Sequence, residues 1–398
     1  MKNNSLSLYL EINLIKFIFL VGENDEQNNC KIINKIEIPL EGIRDNRISD
    51  SEKAFQTIKE NIYLIEQKLN YTFREIILIL DYLKPSFINM SGFKKLNGSQ
   101  VLRENITYIL NNLKAGLNEV ETKKTILHIF NSKFSLDKKK IENLPIGLFG
   151  DFYSHELSFI LINSNEYKNL ESIFDKCSLK IRKIFVKSFI NGALISERYK
   201  NCDTFFQIKI GKNNSKIFYF ENNSLKFEQV FKFGTDIIIK DISKIISLDI
   251  ELVKILLNEI ELNEDIQESE LIEEKFFANN NFRKIKKKLV YEIAAARIRE
   301  ISELLLFKNI NFRLYKNYSD NIFLEIDRDQ QFKGLEKIFE DIFSQKKNLN
   351  LRITDSISSE NALKVANKLV HFGWKKEAIP ITQTKKSLIG KLFEALFN

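Results

Sequence analysis

The sequence is poor in the residue types that build metal sites, disulfide frameworks and tight turns. In 398 residues there are three cysteines, three histidines, four prolines and 13 glycines. Cys30, Cys177 and Cys202 stand far apart and form no C-x-x-C pair, so neither a disulfide framework nor a zinc site is expected of them. They read as thiols of a reducing compartment. His128, His155 and His371 are isolated from the cysteines, and no metal is expected. No secretory leader is expected from the N-terminal residues. The apolar stretch Leu14 to Val21 is short, contains Lys16 and follows Glu11, so it reads as a strand and not as a membrane span.

At 44% hydrophobic the chain can bury ordinary cores and is not a disordered protein, and its length suggests two to four folded units. Lys, Asn, Ile and Phe are enriched together, as AT-rich codons produce. That bias explains most of the lysine excess behind the net charge of +8. No recognition motif accompanies the charge, so nucleic acid is not an expected partner.

Two segments share a pattern. Ser7–Ile12 turns into Lys16–Val21, and Phe205–Ile210 turns through Gly211–Ser215 into Lys216–Phe220. Each is strand, tight turn, strand, followed by a further strand and helices, which suggests a duplicated α/β architecture. Helical periodicity marks Ser51–Leu69, Leu102–Leu113, Glu166–Cys177, Asp241–Leu262 (broken near Ser247–Asp249), Lys286–Phe307, Gly334–Ser344 and Ala362–Val370. Strands are expected at Glu75–Leu80, Thr125–Phe130, Glu156–Ile162 and Asn321–Ile326. The basic run Lys284–Lys288 reads as a solvated first turn as readily as a binding patch. Trp374–Lys386 is polar, contains Pro380 and lacks periodicity, so it reads as a linker.

The order of these pieces resembles FtsA, the actin-like cell-division family of bacteria. Ile126-Leu127-His128-Ile129-Phe130 with Phe134-Ser135-Leu136-Asp137 is similar to the family's L-H-V-I-P…Y-x-I-D strand. Asn143-Leu144-Pro145-Ile146-Gly147-Leu148-Phe149-Gly150 is similar to its N-P-V-G-L-S-G turn. Glu292-Ile293-Ala294-Ala295-Ala296-Arg297 with Glu300-Ile301 matches its E-V-I-x-P-R-x-x-E-L helix, with Ala for Pro, and Ala362–Gly373 resembles its A-x-G-L-L-H-Y-G segment. The resemblance implies an α/β, actin-like (ribonuclease H-like duplicated) two-lobe fold with an inserted SHS2-type subdomain. Its parts would be a first lobe at 1–81 and 164–200, the insert at 82–163, and a second lobe at 201–235 and 290–373. Residues 236–289 would form the upper subdomain of the second lobe, 374–386 a linker and 387–398 a membrane helix. It also implies FtsZ, docked by its C-terminal tail on about Asp236–Lys286, as a partner, together with head-to-tail self-association and other division proteins. The place implied is the inner face of the cytoplasmic membrane at the division site.

Actin-fold ATPases need loops whose backbones approach phosphate closely, hence glycine, and carboxylates that position Mg²⁺. The family's first loop, D-I-G-T-T-K, is here Glu11-Ile12-Asn13-Leu14-Ile15-Lys16, without the glycine and both hydroxyls. The second, D-I-G-G-G-T-T-D, is Lys209-Ile210-Gly211-Lys212-Asn213-Asn214-Ser215-Lys216, in which both acids have become lysines. The third, T-G-G-A-A, is Ile326-Asp327-Arg328-Asp329-Gln330. Joint loss in three loops that share only a ligand points to loss of that ligand. ATP and Mg²⁺ are thus expected to be absent, and the chain is not expected to be an enzyme. A Glu11–Lys209 pair and the Asp327-Arg328-Asp329 cluster are expected in their place. A residual nucleotide site would use Gly211, Lys212, Ser215, Glu251 and Lys254, with Lys216 also able to meet phosphate. Glu251 and Lys254 match a family E-x-x-K, but at i, i+3 spacing they also make an ordinary helical charge pair, which is the favoured reading.

On a helical wheel Leu388, Ile389, Leu392, Phe393, Ala395, Leu396 and Phe397 share one side, while Ser387, Gly390, Lys391, Glu394 and Asn398 share the other. Lys385 and Lys386 precede them, each able to add about 1 kcal/mol against anionic lipid. This predicts an amphipathic helix lying on a membrane surface, too short to be stable in water alone. The implied function is a peripheral tether for FtsZ filaments. The alternatives are an active actin-like ATPase of the same family and a PilM-like adaptor of another membrane machine.

Overall fold

The computed structural model describes residues 5–27, 29–277, 282–315, 319–327, 332–344 and 349–378. The chain forms two compact units. One comprises the residues up to Asp203, Glu221–Phe227 and those from Ile357 on; the other comprises Thr204–Phe220 and Glu228–Ser356.

In the first unit β1 (Ser5–Ile12), β2 (Lys16–Asn24) and β3 (Cys30–Pro39) run as an antiparallel meander. A two-stranded ribbon, β4 (Ile43–Arg44) and β5 (Arg47–Ile48), leads to α1 (Ser51–Leu69) and β6 (Glu75–Leu80). Asp50 caps α1 by accepting the Lys53 amide at 2.9 Å, and Asn70 ends it in the left-handed conformation at φ 47°. Its buried stripe, Ala54, Phe55, Ile58, Ile62 and Ile65, has the helical spacing that turns one face inward. β6 reads Glu-Ile-Ile-Leu-Ile-Leu with only its first residue exposed, as a parallel strand covered on both faces requires.

An inserted unit follows: β7 (Ser86–Lys95), α2 (Arg103–Val120), β8 (Lys124–Leu136), β9 (Lys139–Ile141) and β10 (Phe152–Asn163). Its strands form an antiparallel sheet in the order β7-β10-β8-β9, with α2 across one face. Gly92 of β7 permits that approach, since a Cβ there would lie 2.4 Å from Ile109 of the helix. The chain then returns through α3 (Ser164–Lys176), β11 (Lys180–Val186) and α4 (Lys187–Arg198), and the main sheet reads β3-β2-β1-β6-β11.

The second unit is built on β12 (Phe205–Ile210), β13 (Ser215–Glu221) and β14 (Ser224–Phe231). Five helices follow in chain order with two strands among them: α5 (Asp236–Ile246), α6 (Ile250–Glu259), α7 (Lys287–Ser302), α8 (Ile310–Tyr315), β15 (Asn321–Ile326), α9 (Leu335–Ser344) and β16 (Asn350–Ile353). Its sheet reads β14-β13-β12-β15-β16, with β12 antiparallel to β13 and parallel to β15. The first sheet has the same order and senses, so the two strand-turn-strand segments of the sequence are the matching first hairpins of a duplicated fold. The 16-residue helix α7 continues as a π-turn at Glu303–Phe307, where one α-helix to Phe307 was expected.

Two expected boundaries are corrected. The helix α10 (Ser359–Phe372), expected in the second lobe, belongs to the first unit. Tyr9 donates to Asn367 Oδ1 at 2.6 Å, Lys35 pairs with Glu360 at 2.5 Å, and Ala362, Leu363, Val365, Ala366 and Leu369 are buried. Residues 221–227, the turn between β13 and β14, also cluster there.

The second correction concerns Trp374–Ala378, expected as the start of a linker but folded as a strap on β8. The Asn131 amide donates to Lys376 O and the Ala378 amide to Ile129 O, both at 2.7 Å, and Trp374 Nε1 donates to Asn223 O at 2.8 Å. Glu377 is buried beside Lys183 at 2.8 Å and His128 Nδ1 at 3.0 Å. Burial alone would raise its pKa, but Lys183 and the His128 hydrogen bond outweigh burial and hold it at about 2. Burial pushes the His128 pKa down, so the ring is neutral at pH 7 and its Nδ1–H donates to the carboxylate. Glu377→Ala would strip Lys183 of its partner at a cost on the order of 3 kcal/mol in thermal unfolding at pH 7. A carboxylate with a depressed folded pKa stabilises above its unfolded pKa. The difference between parent and variant should therefore shrink as pH falls from about 4.5 toward 2.

Candidate functional site

The first phosphate-loop position is the β1–β2 turn. The side-chain oxygen of Asn13 accepts the amides of Ile15 at 2.9 Å and Lys16 at 2.8 Å, and the Asn13 amide donates to Lys16 O at 3.2 Å. This is an Asx turn: Asn in place of glycine closes the loop on itself. The amides of Ile15 and Lys16 are thus already donating inside the turn. Leu14 and Ile15 project outward, 54% and 73% exposed.

The second position is the β12–β13 turn. The Gly211 amide donates to Asn214 O at 2.9 Å. The carbonyls of Gly211 and Lys212 accept the amides of Thr235 and Asp236 at 3.0 Å each, so the turn caps the N-terminus of α5. Gly234 makes that approach possible, because a Cβ there would fall 2.0 Å from Gly211 O. Ser215 is buried and donates to Phe233 O at 2.8 Å, Lys212 is exposed, and Lys216 pairs with Glu228 at 3.3 Å. Of the expected residual nucleotide residues, Gly211 and Ser215 are thus engaged within the unit. Glu251 and Lys254 form an i, i+3 pair on α6 at 2.7 Å with Glu251 79% exposed, the geometry of an ordinary surface pair. In the third loop the Asp327 amide donates to Ile210 O at 2.9 Å, while Arg328, Asp329 and Gln330 lie outside the described residues.

Glu11 and Lys209, expected to pair with each other, each have a partner within their own unit. Glu11, buried at the end of β1, accepts from Lys187 Nζ at 2.5 Å at the start of α4. Lys209 of β12 pairs with Glu325 at 3.0 Å; these residues are register partners on β12 and β15. Gln207 Nε2 also reaches Glu325, at 3.4 Å. Neither Lys187 nor Glu325 was picked out in the sequence. Glu325 had a signal, as the one charge in the strand Asn-Ile-Phe-Leu-Glu-Ile; Lys187 had none.

Of the two positions where the family pattern has an acid, 11 carries a carboxylate paired with Lys187 and 209 carries an ammonium paired with Glu325. Among the described residues no three His, Cys, Asp or Glu side chains come together as metal ligands.

Lys385, Lys386, Leu388, Ile389, Leu392, Phe393, Leu396 and Phe397 lie outside the described residues. Among the described residues no helix is long and apolar enough to cross a membrane. The basic run Lys284–Lys288 is largely paired: Lys286 with Glu268 at 2.8 Å, Lys287 with Glu270 at 3.2 Å, and Lys288 with Glu264 O at 2.8 Å.

No protein-family model matches the chain. Among solved structures, a PilM–PilN type IV pilus biogenesis complex matches over 93% of this chain and 96% of that chain, with a TM-score of 0.51 and 11% identity. The likeness extends to the fold alone, and with the duplicated sheets it places the chain in the actin-like fold class. The curated relatives that match are all named cell division protein FtsA. One from Buchnera aphidicola of Schizaphis graminum is 25% identical over 424 residues, covering 100% of this chain and 98% of the relative. One from Neisseria meningitidis is 21% identical over 300 residues, covering 75% of this chain and 72% of the relative. The chain is therefore similar to FtsA from end to end, as its motif order indicated.

Glu11→Ala would leave the Lys187 ammonium buried without a partner, at roughly 3–5 kcal/mol. A clear fall in melting temperature is expected, recovered in large part by Glu11→Leu with Lys187→Met. An unchanged melting temperature would remove the pair from its structural role.

Proposed function

We propose that this chain is a cell-division protein that tethers FtsZ filaments to the inner face of the cytoplasmic membrane and works without binding ATP. The observation that carries the reading is similarity, over the whole chain, to relatives named cell division protein FtsA. The amphipathic pattern of Ser387–Asn398 supports the membrane side of it. Engagement of the turn amides at Asn13 and Gly211, with lysine at position 209, supports the absence of Mg²⁺–ATP chemistry. The partners would be the FtsZ C-terminal tail, further copies of the chain, anionic lipid and other division proteins. One short anchor binds reversibly, whereas a filament presenting many anchors would bind far more tightly through effective concentration. The pilus reading rests on fold likeness at 11% identity, and the FtsA similarity outweighs it.

The test is co-sedimentation of FtsZ with anionic vesicles. With the full chain present FtsZ should pellet with the vesicles. With residues 387–398 deleted it should stay in solution while the chain keeps its melting temperature. Recruitment undiminished by the deletion, or none with the full chain, would reject the tether.

A further inference from the structure

Two basic runs stand out in the sequence, and they differ in how they are used. The run at Lys284–Lys288 is largely answered by Glu264–Glu270. Lys138, Lys139 and Lys140 are all exposed, and among the described residues none of them makes an ion pair. They sit at the tip of the β8–β9 hairpin, whose turn residues Asp137 and Lys138 have φ of 50° and 67°. Asp137, itself exposed, accepts with Oδ1 the amides of Asp151 at 2.9 Å and Phe152 at 2.8 Å. The tip therefore presents three consecutive exposed lysines that no carboxylate pairs directly among the described residues.

Those hydrogen bonds bring a second feature to the same end of the inserted unit. Phe149, 69% exposed, lies just before the segment held by Asp137. Phe93, 66% exposed, stacks on Phe152 with centroids 5.3 Å apart. Exposed phenylalanines beside unpaired lysines are what a bilayer interface accommodates, with rings among the headgroups and ammonium groups on the phosphates.

The strap runs antiparallel to β8, and its described part ends beside Ile129 of that strand. The strap bridges Phe130 of β8 through Glu377, and Lys376 Nζ donates to Glu142 O at 3.1 Å, just beyond β9. From Ala378 only residues 379–386 precede Ser387, a reach of at most about 30 Å even when fully extended.

We propose that the β8–β9 hairpin tip, Lys138–Lys140 with Phe149 and the Phe93–Phe152 pair, is a second membrane contact that binds anionic phospholipid. It rests on the tether reading above, and it makes membrane attachment two-pointed: a helix inserted at the C-terminus and a basic, aromatic tip on the folded body. Two weak contacts on one chain reinforce each other through effective concentration, and the tip would fix which face of the protein meets the lipid.

The test uses the full chain with phosphatidylglycerol-containing vesicles and with neutral phosphatidylcholine vesicles. A lysine at an anionic surface is worth about fivefold in binding, so K138Q/K139Q/K140Q should weaken binding to anionic vesicles by up to about 100-fold. Binding to neutral vesicles and the melting temperature should be unchanged, and the salt dependence should flatten. K139Q/K140Q, which spares the left-handed residue, should give a smaller loss in the same direction. L392E/F393E disables the anchor separately. If that variant loses binding while the lysine variants bind like the parent, the anchor stands and the tip proposal is overturned. If the anchor variant still binds anionic vesicles and the lysine variants do not, the tip stands and the anchor reading fails. Altered self-association with unaltered vesicle binding would make the tip an interface between copies and overturn the proposal.

Discussion

Burying a carboxylate at the end of a central strand is costly unless a cation or hydrogen-bond donors answer it. In this protein Lys187 provides that cation to Glu11, across a connection of 176 residues in sequence. The duplicated half meets the same constraint with the signs exchanged, Lys209 on the first strand and Glu325 on its neighbour. Each half thereby pairs the charge near the end of its first strand within itself. The turns follow the same logic. Asn13 and the carbonyls of Gly211 and Lys212 answer backbone amides from within the chain.

Strands and helices with a regular apolar period were legible in the sequence. The bounds of α1, β6 and β15 coincide with the expected segments, and the paired hairpins declared the duplication. The partners of charged residues were not legible, because an ion pair between distant segments leaves no period. Thus the partners of Glu11 and Lys209 within their own units, Lys187 and Glu325, could not be read from the sequence. The strap at Trp374–Ala378 was hidden for a related reason. A short segment held by two backbone hydrogen bonds, an indole and one buried carboxylate needs no apolar repeat. The same holds for α10, whose helical pattern was plain but whose unit is decided by contacts such as Tyr9 with Asn367.

The strap also changes how the C-terminal region reads. It ties the chain to β8 up to Ala378, so the proposed anchor would hang on a tether shorter than the sequence alone implied. A short tether restricts which faces of the body can meet the bilayer, and the basic, aromatic hairpin tip is one such face. On the proposed reading attachment is then governed by lipid charge and by the number of copies assembled.

The most direct measurement is a titration of the full chain with a fluorescent ATP analogue, with and without Mg²⁺. Glu11 and Lys209 neutralised within their own units predict no saturable, Mg²⁺-dependent binding up to millimolar analogue. Micromolar binding that requires Mg²⁺ would contradict this, and would mean that the pairs at Lys187 and Glu325 give way to a metal.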